Sequence, residues 1–285
     1  MWKKAIEDRP MNAMSQITDP ELESFKKRLS HDEAMRVRRK RLVRIAQVIL
    51  LVALLGLWQG VVSLGLANAI FVGSPLGILT ELAVNVANGN FFVQALPTLV
   101  AVVVAFVLSA VVGIALGILL HEIPFLDAVL SPFVAALNGV PRIALAPVTI
   151  VWFGLGFGSK VALAFSLVVF ILLITTEAAL KNVDSDLTTL CRSLGASRLK
   201  TLLSVKLPWS LPSLFAGLRL GLLYTILSVI VNEMISSPDG LGALISYYSN
   251  TFAISDMFAV LVFLSFFTII FDVGLRYLER RMKVW

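Results

Sequence analysis

Apolar residues dominate the chain after residue 44. They fall into six runs: 45–66, 91–120, 127–153, 160–176, 211–234 and 257–278. A helix needs about 20 mostly apolar residues to cross the hydrocarbon core of a bilayer. Each run therefore predicts one membrane-spanning helix, and the expected fold is an all-α integral membrane protein. The second run is long enough to tilt, and the fourth is the shortest. The third contains Pro132, Pro141 and Pro147. Proline removes a helical hydrogen bond and kinks the chain, so the limits of that span are the least defined.

Composition agrees with this pattern. The chain is 58% hydrophobic and 15% charged, whereas a soluble domain is about 45–50% apolar and about 25% charged. The net charge is +6, but its placement says more: residues 1–44 hold twelve of the 24 Lys and Arg. Further groups lie at 181–206 and 276–283, while the connections 67–90 and 235–256 have no Lys or Arg. Basic residues flank spans on the cytoplasmic side. Six spans with both termini inside satisfy all of these positions, whereas five or seven would strand a basic cluster outside. Cations beside apolar spans describe membrane topology, not a nucleic-acid surface, so no nucleic-acid partner is expected.

The division that follows is a cytoplasmic tail, 1–43, and a transmembrane domain, 44–285, with a cytoplasmic loop at 181–208. The first apolar run starts too late for a signal peptide, so it reads as an uncleaved anchor. In the tail, Thr18-Asp19-Pro20-Glu21 resembles a helix start. Leu22, Phe25 and Leu29 then recur at helical spacing among Lys26, Lys27 and Arg28. Two readings stay open: a basic amphipathic helix on the inner leaflet, or a solvated tail. Cys191 is the only cysteine, which excludes an intrachain disulfide and a cysteine metal cluster.

Catalytic and metal chemistry find no support. His121-Glu122 starts like a zinc-protease helix, but position 125 is Phe, so the second histidine is missing. His121 reads as an interfacial residue. Gly154-Leu155-Gly156-Phe157-Gly158 lacks the Gly-Lys-Ser/Thr ending of a phosphate loop, and no such ending occurs elsewhere. If ATP drives this protein, another chain binds it and its magnesium.

Charges inside spans are costly and mark function or pairing. Glu233, beside Asn232, reads as a pathway residue, a paired group, or a side chain reaching the outer interface. Arg219 reads as a residue snorkelling to the headgroups. Arg142 suggests anion binding if the third span starts near 127, and snorkelling if 127–140 lies along the interface. Asp272 and Arg276 read as an i,i+4 pair.

The most informative stretch is the basic loop: Leu190-Cys191-Arg192-Ser193-Leu194-Gly195-Ala196-Ser197-Arg198, followed by Val205-Lys206-Leu207-Pro208. Its spacing, Gly, nine residues, an aliphatic residue, one residue, Leu-Pro, resembles the "EAA" loop of binding-protein-dependent importer permeases. The match departs at its start, where Thr189-Leu190-Cys191 occupies the EAA positions and the acidic residue is absent. Pro141-Arg142-Ile143-Ala144-Leu145-Ala146-Pro147, Val151-Trp152-Phe153-Gly154-Leu155-Gly156, Ser159-Lys160, Glu233-Met234 and Gly240-Leu241-Gly242 are similar to the nitrate, taurine and aliphatic-sulfonate branch.

The resemblance implies a type I ABC importer permease in the bacterial inner membrane. It implies a homodimer with two ABC ATPase subunits and an extracytoplasmic solute-binding protein. Sulfonates, taurine or nitrate are the expected cargo. Residues 190–198 with Leu207 and Pro208 would couple to the ATPase. Arg142, Asn232 and Glu233 are the candidate pathway residues, and no cofactor is expected on this chain. The rival class, an ion-coupled secondary carrier, predicts paired intramembrane charges and an internal repeat. Neither is evident in the sequence.

Overall fold

A computed structural model describes residues 19–282, and these are helical with short connections. The described residues up to Leu64 form one compact unit, and those from Gly65 onward form a second.

The first unit is a single helix, α1 (Asp19–Ser63). It runs unbroken across position 43, and its part Arg41–Ser63 is long and apolar enough to span a membrane. The tail before residue 19, and the side chains of Leu22, Phe25 and Leu29, lie outside the described residues.

The second unit begins with α2 (Ala69–Val72), α3 (Pro75–Ala87), α4 (Asn90–Glu122) and α5 (Pro124–Asn138). A 3₁₀ turn at Arg142–Leu145 leads to α6 (Ala146–Phe153) and then α7 (Phe157–Lys181). After α8 (Ser185–Ser193) and α9 (Arg198–Thr201), a π turn at Leu202–Lys206 enters α10 (Leu207–Ser236). The unit ends with α11 (Leu241–Asn250) and α12 (Ile254–Met282). The connections 67–90 and 235–256 thus contain helices; α3 has 13 residues, too few to span.

Helices α4, α7 and α10 form the core. In a membrane, helices have no hydrophobic drive to associate and rely on close backbone approach at small residues. Gly113 and Gly117 on α4 supply this: a Cβ on them would lie 2.7 Å from the Val169 and Leu173 carbonyl oxygens of α7. Gly217 and Gly221 on α10 meet the other side of α7, at Thr175 and at Val168 with Leu172. Both pairs are small-x-x-x-small, so α7 is clamped between two glycine faces. Leu163, Val168 and Leu172 of α7 are buried as a result.

The third predicted span is broken. Helix α5 and the Arg142–Phe153 segment meet at a bend of 78°, next to Pro141. Asp127 at the start of α5 meets Lys181 at the end of α7, 3.0 Å apart. Phe153 ends α6 four residues before α7 begins. The pair therefore travels from one end of α7 to the other and makes one crossing. With α1, α4, α7, α10 and α12 it completes the six expected spans.

Candidate functional site

One end of the second unit is closed by a buried ion pair. Lys160 Nζ on α7 lies 2.9 Å from Glu233 Oε1 on α10, with side chains 2% and 0% exposed. A buried charge is tolerated only when paired and fully hydrogen-bonded, and Glu233 meets both conditions. Thr98 Oγ1 of α4 lies 2.9 Å from each carboxylate oxygen. The Gly242 amide donates to Oε2 at 2.9 Å. Lys160 also bonds Asp239, at 3.0 Å to its carboxylate and 3.2 Å to its carbonyl.

The backbone around this pair is shaped to it. The Gly240 amide donates to Gln94 Oε1 and the Leu241 amide to Thr98 Oγ1, each at 2.9 Å. Gly240 has φ +108°, and a Cβ there would strike the Glu233 carboxylate. Only glycine meets both demands, a positive φ and no side chain. Asn232, also buried, accepts from Ser159 Oγ at 3.2 Å, and its amide reaches Thr149 Oγ1 at 3.4 Å. Helices α4, α6, α7, α10 and α11 are thus tied at one end. Asp239 lies in the loop after α10, and the Lys160 ammonium holds its carboxyl below the usual aspartate range.

These positions correct one expectation. The membrane region does contain paired charges, Lys160 with Glu233. Their partners lie far apart in sequence, so no local spacing announced them. Arg219, 30% exposed, pairs through Nη1 with Glu279 Oε2 in the last turns of α12. The Asp272–Arg276 pair is present, Nη2 to Oδ2 at 2.6 Å. Lys160, Thr98 and Gln94 were missed as site residues. A lone lysine opening an apolar run was the available signal.

Arg142 is buried at the break of the third span. It donates to the Leu137 carbonyl at 2.7 Å and to the Leu167 carbonyl at 3.2 Å. Its guanidinium lies 4.0 Å from the centre of the Phe170 ring, within cation–π range. The first carbonyl belongs to the last turn of α5, which proline-rich sequence leaves without a continuing helix. Among the described residues Arg142 meets no carboxylate.

At the opposite end lies the basic loop. Helix α8 starts on Asp184, whose side chain accepts from the Asp186 amide at 2.8 Å. It ends in a Schellman turn: the Ala196 amide donates to the Cys191 carbonyl at 3.0 Å and the Gly195 amide to Arg192 at 2.9 Å. This motif needs a left-handed residue after the helix, and Gly195 has φ +77°. Ser197 then caps α9 by accepting from the Lys200 amide. The result is a compact protrusion whose Leu190, Leu194 and Leu199 are 56%, 78% and 64% exposed. At its root, Lys206 Nζ meets Glu122 Oε1 at 2.7 Å and His121 Nε2 at 2.9 Å. His121 is thus held by a neighbouring lysine instead of standing alone.

The second unit thus combines long apolar helices with a helix–glycine–helix protrusion at one end, the build of a membrane subunit. Residues 110–284 match the family described as "Binding-protein-dependent transport system inner membrane component", and the chain belongs to that family. The taurine transport system permease protein TauC of Escherichia coli (strain K12) is 28% identical, over 82% of this chain and 87% of its own length. The riboflavin transport system permease protein RibX of Chloroflexus aurantiacus is 32% identical, over 82% and 88%. The inward-facing MetNI methionine ABC transporter shares the fold, with a TM-score of 0.61 at 20% identity, over 67% of this chain and 95% of that one. The chain is an inner-membrane permease subunit of an ABC importer. Its family implies an ATPase and a binding protein as partners, and it decides against the ion-coupled carrier despite the buried charge pair.

Proposed function

We propose that two copies of this chain form the pathway for a small anion, a sulfonate such as taurine. In this reading both termini and the loop 181–208 face the cytoplasm, where two ATPase subunits bind ATP and magnesium. Residues Leu190 to Arg198, with Leu207 and Pro208, receive the stroke of the ATPase. The binding protein delivers cargo at the Glu233 end. Lys160, Asn232 and Glu233 hold the helix ends together there, beside the pathway entrance.

The observation that carries this reading is the Gly195 protrusion. It presents exposed leucines on a rigid, capped turn, the form a docking knob requires. The basic residues around it support the cytoplasmic orientation. Arg142 supports an anionic cargo, since a guanidinium keeps its charge at any working pH and here has no carboxylate partner among the described residues.

Gly195→Pro tests the coupling. Proline fixes φ near −65°, against +77° here, and removes the amide that bonds Arg192. The spans still insert, because insertion depends on apolar length. ATPase stimulation by the loaded binding protein is expected to be lost; stimulation at the wild-type level would place coupling elsewhere. Crosslinking from Cys191 to a cysteine set in the ATPase groove checks the contact itself. Uptake of labelled taurine, with riboflavin as competitor, tests the cargo. Mass measurement of the complex tests for two identical permease chains.

A further inference from the structure

The protrusion has a second face. On α8, Leu190 and Leu194 share one side, while Thr188 and Arg192, also four residues apart, share roughly the opposite one. That second side closes a cavity of about 210 Å³ against the ends of the membrane helices. Pockets for drug-sized molecules run from about 300 to 1,000 Å³, so this one suits a smaller occupant. Its walls include Arg192, Arg198, Lys206, His121, Glu122 and Thr188.

The charges in this cavity do not balance. Three cations face one carboxylate. Glu122 is taken by Lys206, at 2.7 Å. Arg192 and Arg198 are exposed, and among the described residues neither has a hydrogen-bond or ion-pair partner. Arginine forks bind oxyanions in two-point geometry. Arg192 of α8 and Arg198 of α9 line this cavity together with Lys206 and Thr188. Leu190 and Leu194 are exposed and are not among its walls, so an ATPase docked on them leaves this cavity to another ligand.

We infer that this cavity is a binding site for a small tetrahedral oxyanion, either free in the cytosol or as the phosphate of an anionic lipid headgroup. An anion there bridges the loop helices, through Arg192 and Arg198, to the membrane helices, through Lys206. It therefore stiffens the joint across which the ATPase acts. The site does not depend on which cargo is carried; only its cytosolic side rests on the orientation proposed above.

The test uses the assembled permease–ATPase complex in phosphatidylcholine nanodiscs, with radiolabelled sulfate as probe and chloride holding ionic strength constant. Sulfate is not a product of ATP hydrolysis. The expected result is saturable binding that weakens about tenfold or more in Arg192→Gln or Arg198→Gln, as the loss of one charge-assisted hydrogen bond predicts. Arg192→Lys should recover part of it. A second arm adds phosphatidylglycerol and counts retained lipid by native mass spectrometry. Lipid that displaces sulfate and is lost from the same variants assigns the headgroup as ligand; sulfate binding indifferent to the lipid assigns a free anion. Size-exclusion elution and the subunit stoichiometry seen by native mass spectrometry confirm that the variants assemble, and either arginine variant alone suffices for the reading. Sulfate binding that is absent or unchanged by both substitutions, together with lipid retention unchanged by them, overturns the site. Because binding is read directly, it stands or falls apart from any transport result.

Discussion

The two ends of the second unit solve opposite problems. At the Glu233 end the buried charges are answered within the chain: Lys160 binds both Glu233 and Asp239, and Thr98 and the Gly242 amide complete the Glu233 carboxylate. At the Gly195 end the polar groups of the turn are satisfied, yet three leucines are left exposed and two arginines line a cavity without a partner among the described residues. The first end is self-sufficient and rigid. The second is a finished shape with an unfinished surface, as a site for partners must be. The contrast extends to two glycines: both Gly240 and Gly195 have positive φ, but Gly240 is walled in by Glu233 while Gly195 has nothing within 4 Å.

The sharpest way to break this contrast is Lys160→Met. It leaves the Glu233 carboxylate buried without its cation, and removing one member of a buried pair costs about 3–5 kcal/mol. Reversible unfolding in mixed detergent micelles measures it. The double variant Lys160→Met/Glu233→Gln should cost clearly less than the two single changes summed. Full additivity would show that the pair is not one unit.

Gly240→Ala should come next. It adds left-handed strain and an overpacked contact with the carboxylate, together roughly 2–4 kcal/mol. Gly195→Ala carries the strain alone, about 1–2 kcal/mol, and the same unfolding experiment compares the two. An equal loss at both positions would mean that the wall around Gly240 yields.

The smallest effect belongs to Asp239, which is 56% exposed. Its carboxyl titrates below the usual aspartate range because Lys160 bonds it. A depressed carboxyl contributes stability that is present above the unfolded pKa and lost as pH falls through the folded one. Asp239→Asn should therefore cost about 1 kcal/mol or less at neutral pH. It should also flatten the loss of stability on acidification below the ordinary aspartate range. A pH profile identical to wild type would show that solvent already screens this contact.

Much of this architecture follows from the sequence by local physics. Apolar length sets the number of crossings, since hydrocarbon tolerates no unsatisfied backbone. Three prolines mark the span that bends. The glycine spacing after α8 dictates a left-handed cap, because a Schellman turn is closed by neighbours within six residues. The glycine pairs 113/117 and 217/221 acquire their meaning only in the fold, because the helix they meet cannot be read locally. Tertiary structure alone decided the rest. The cost of placing Lys160, Glu233 or Arg219 in a span is readable from one residue. The partner that offsets the cost is not: Thr98 lies 135 residues from Glu233, and Asp239 79 from Lys160. Arg142 shows the same limit, for its acceptors are backbone carbonyls that no side-chain pattern reveals. Local chemistry determines what each segment must satisfy; only the packed helices determine with what.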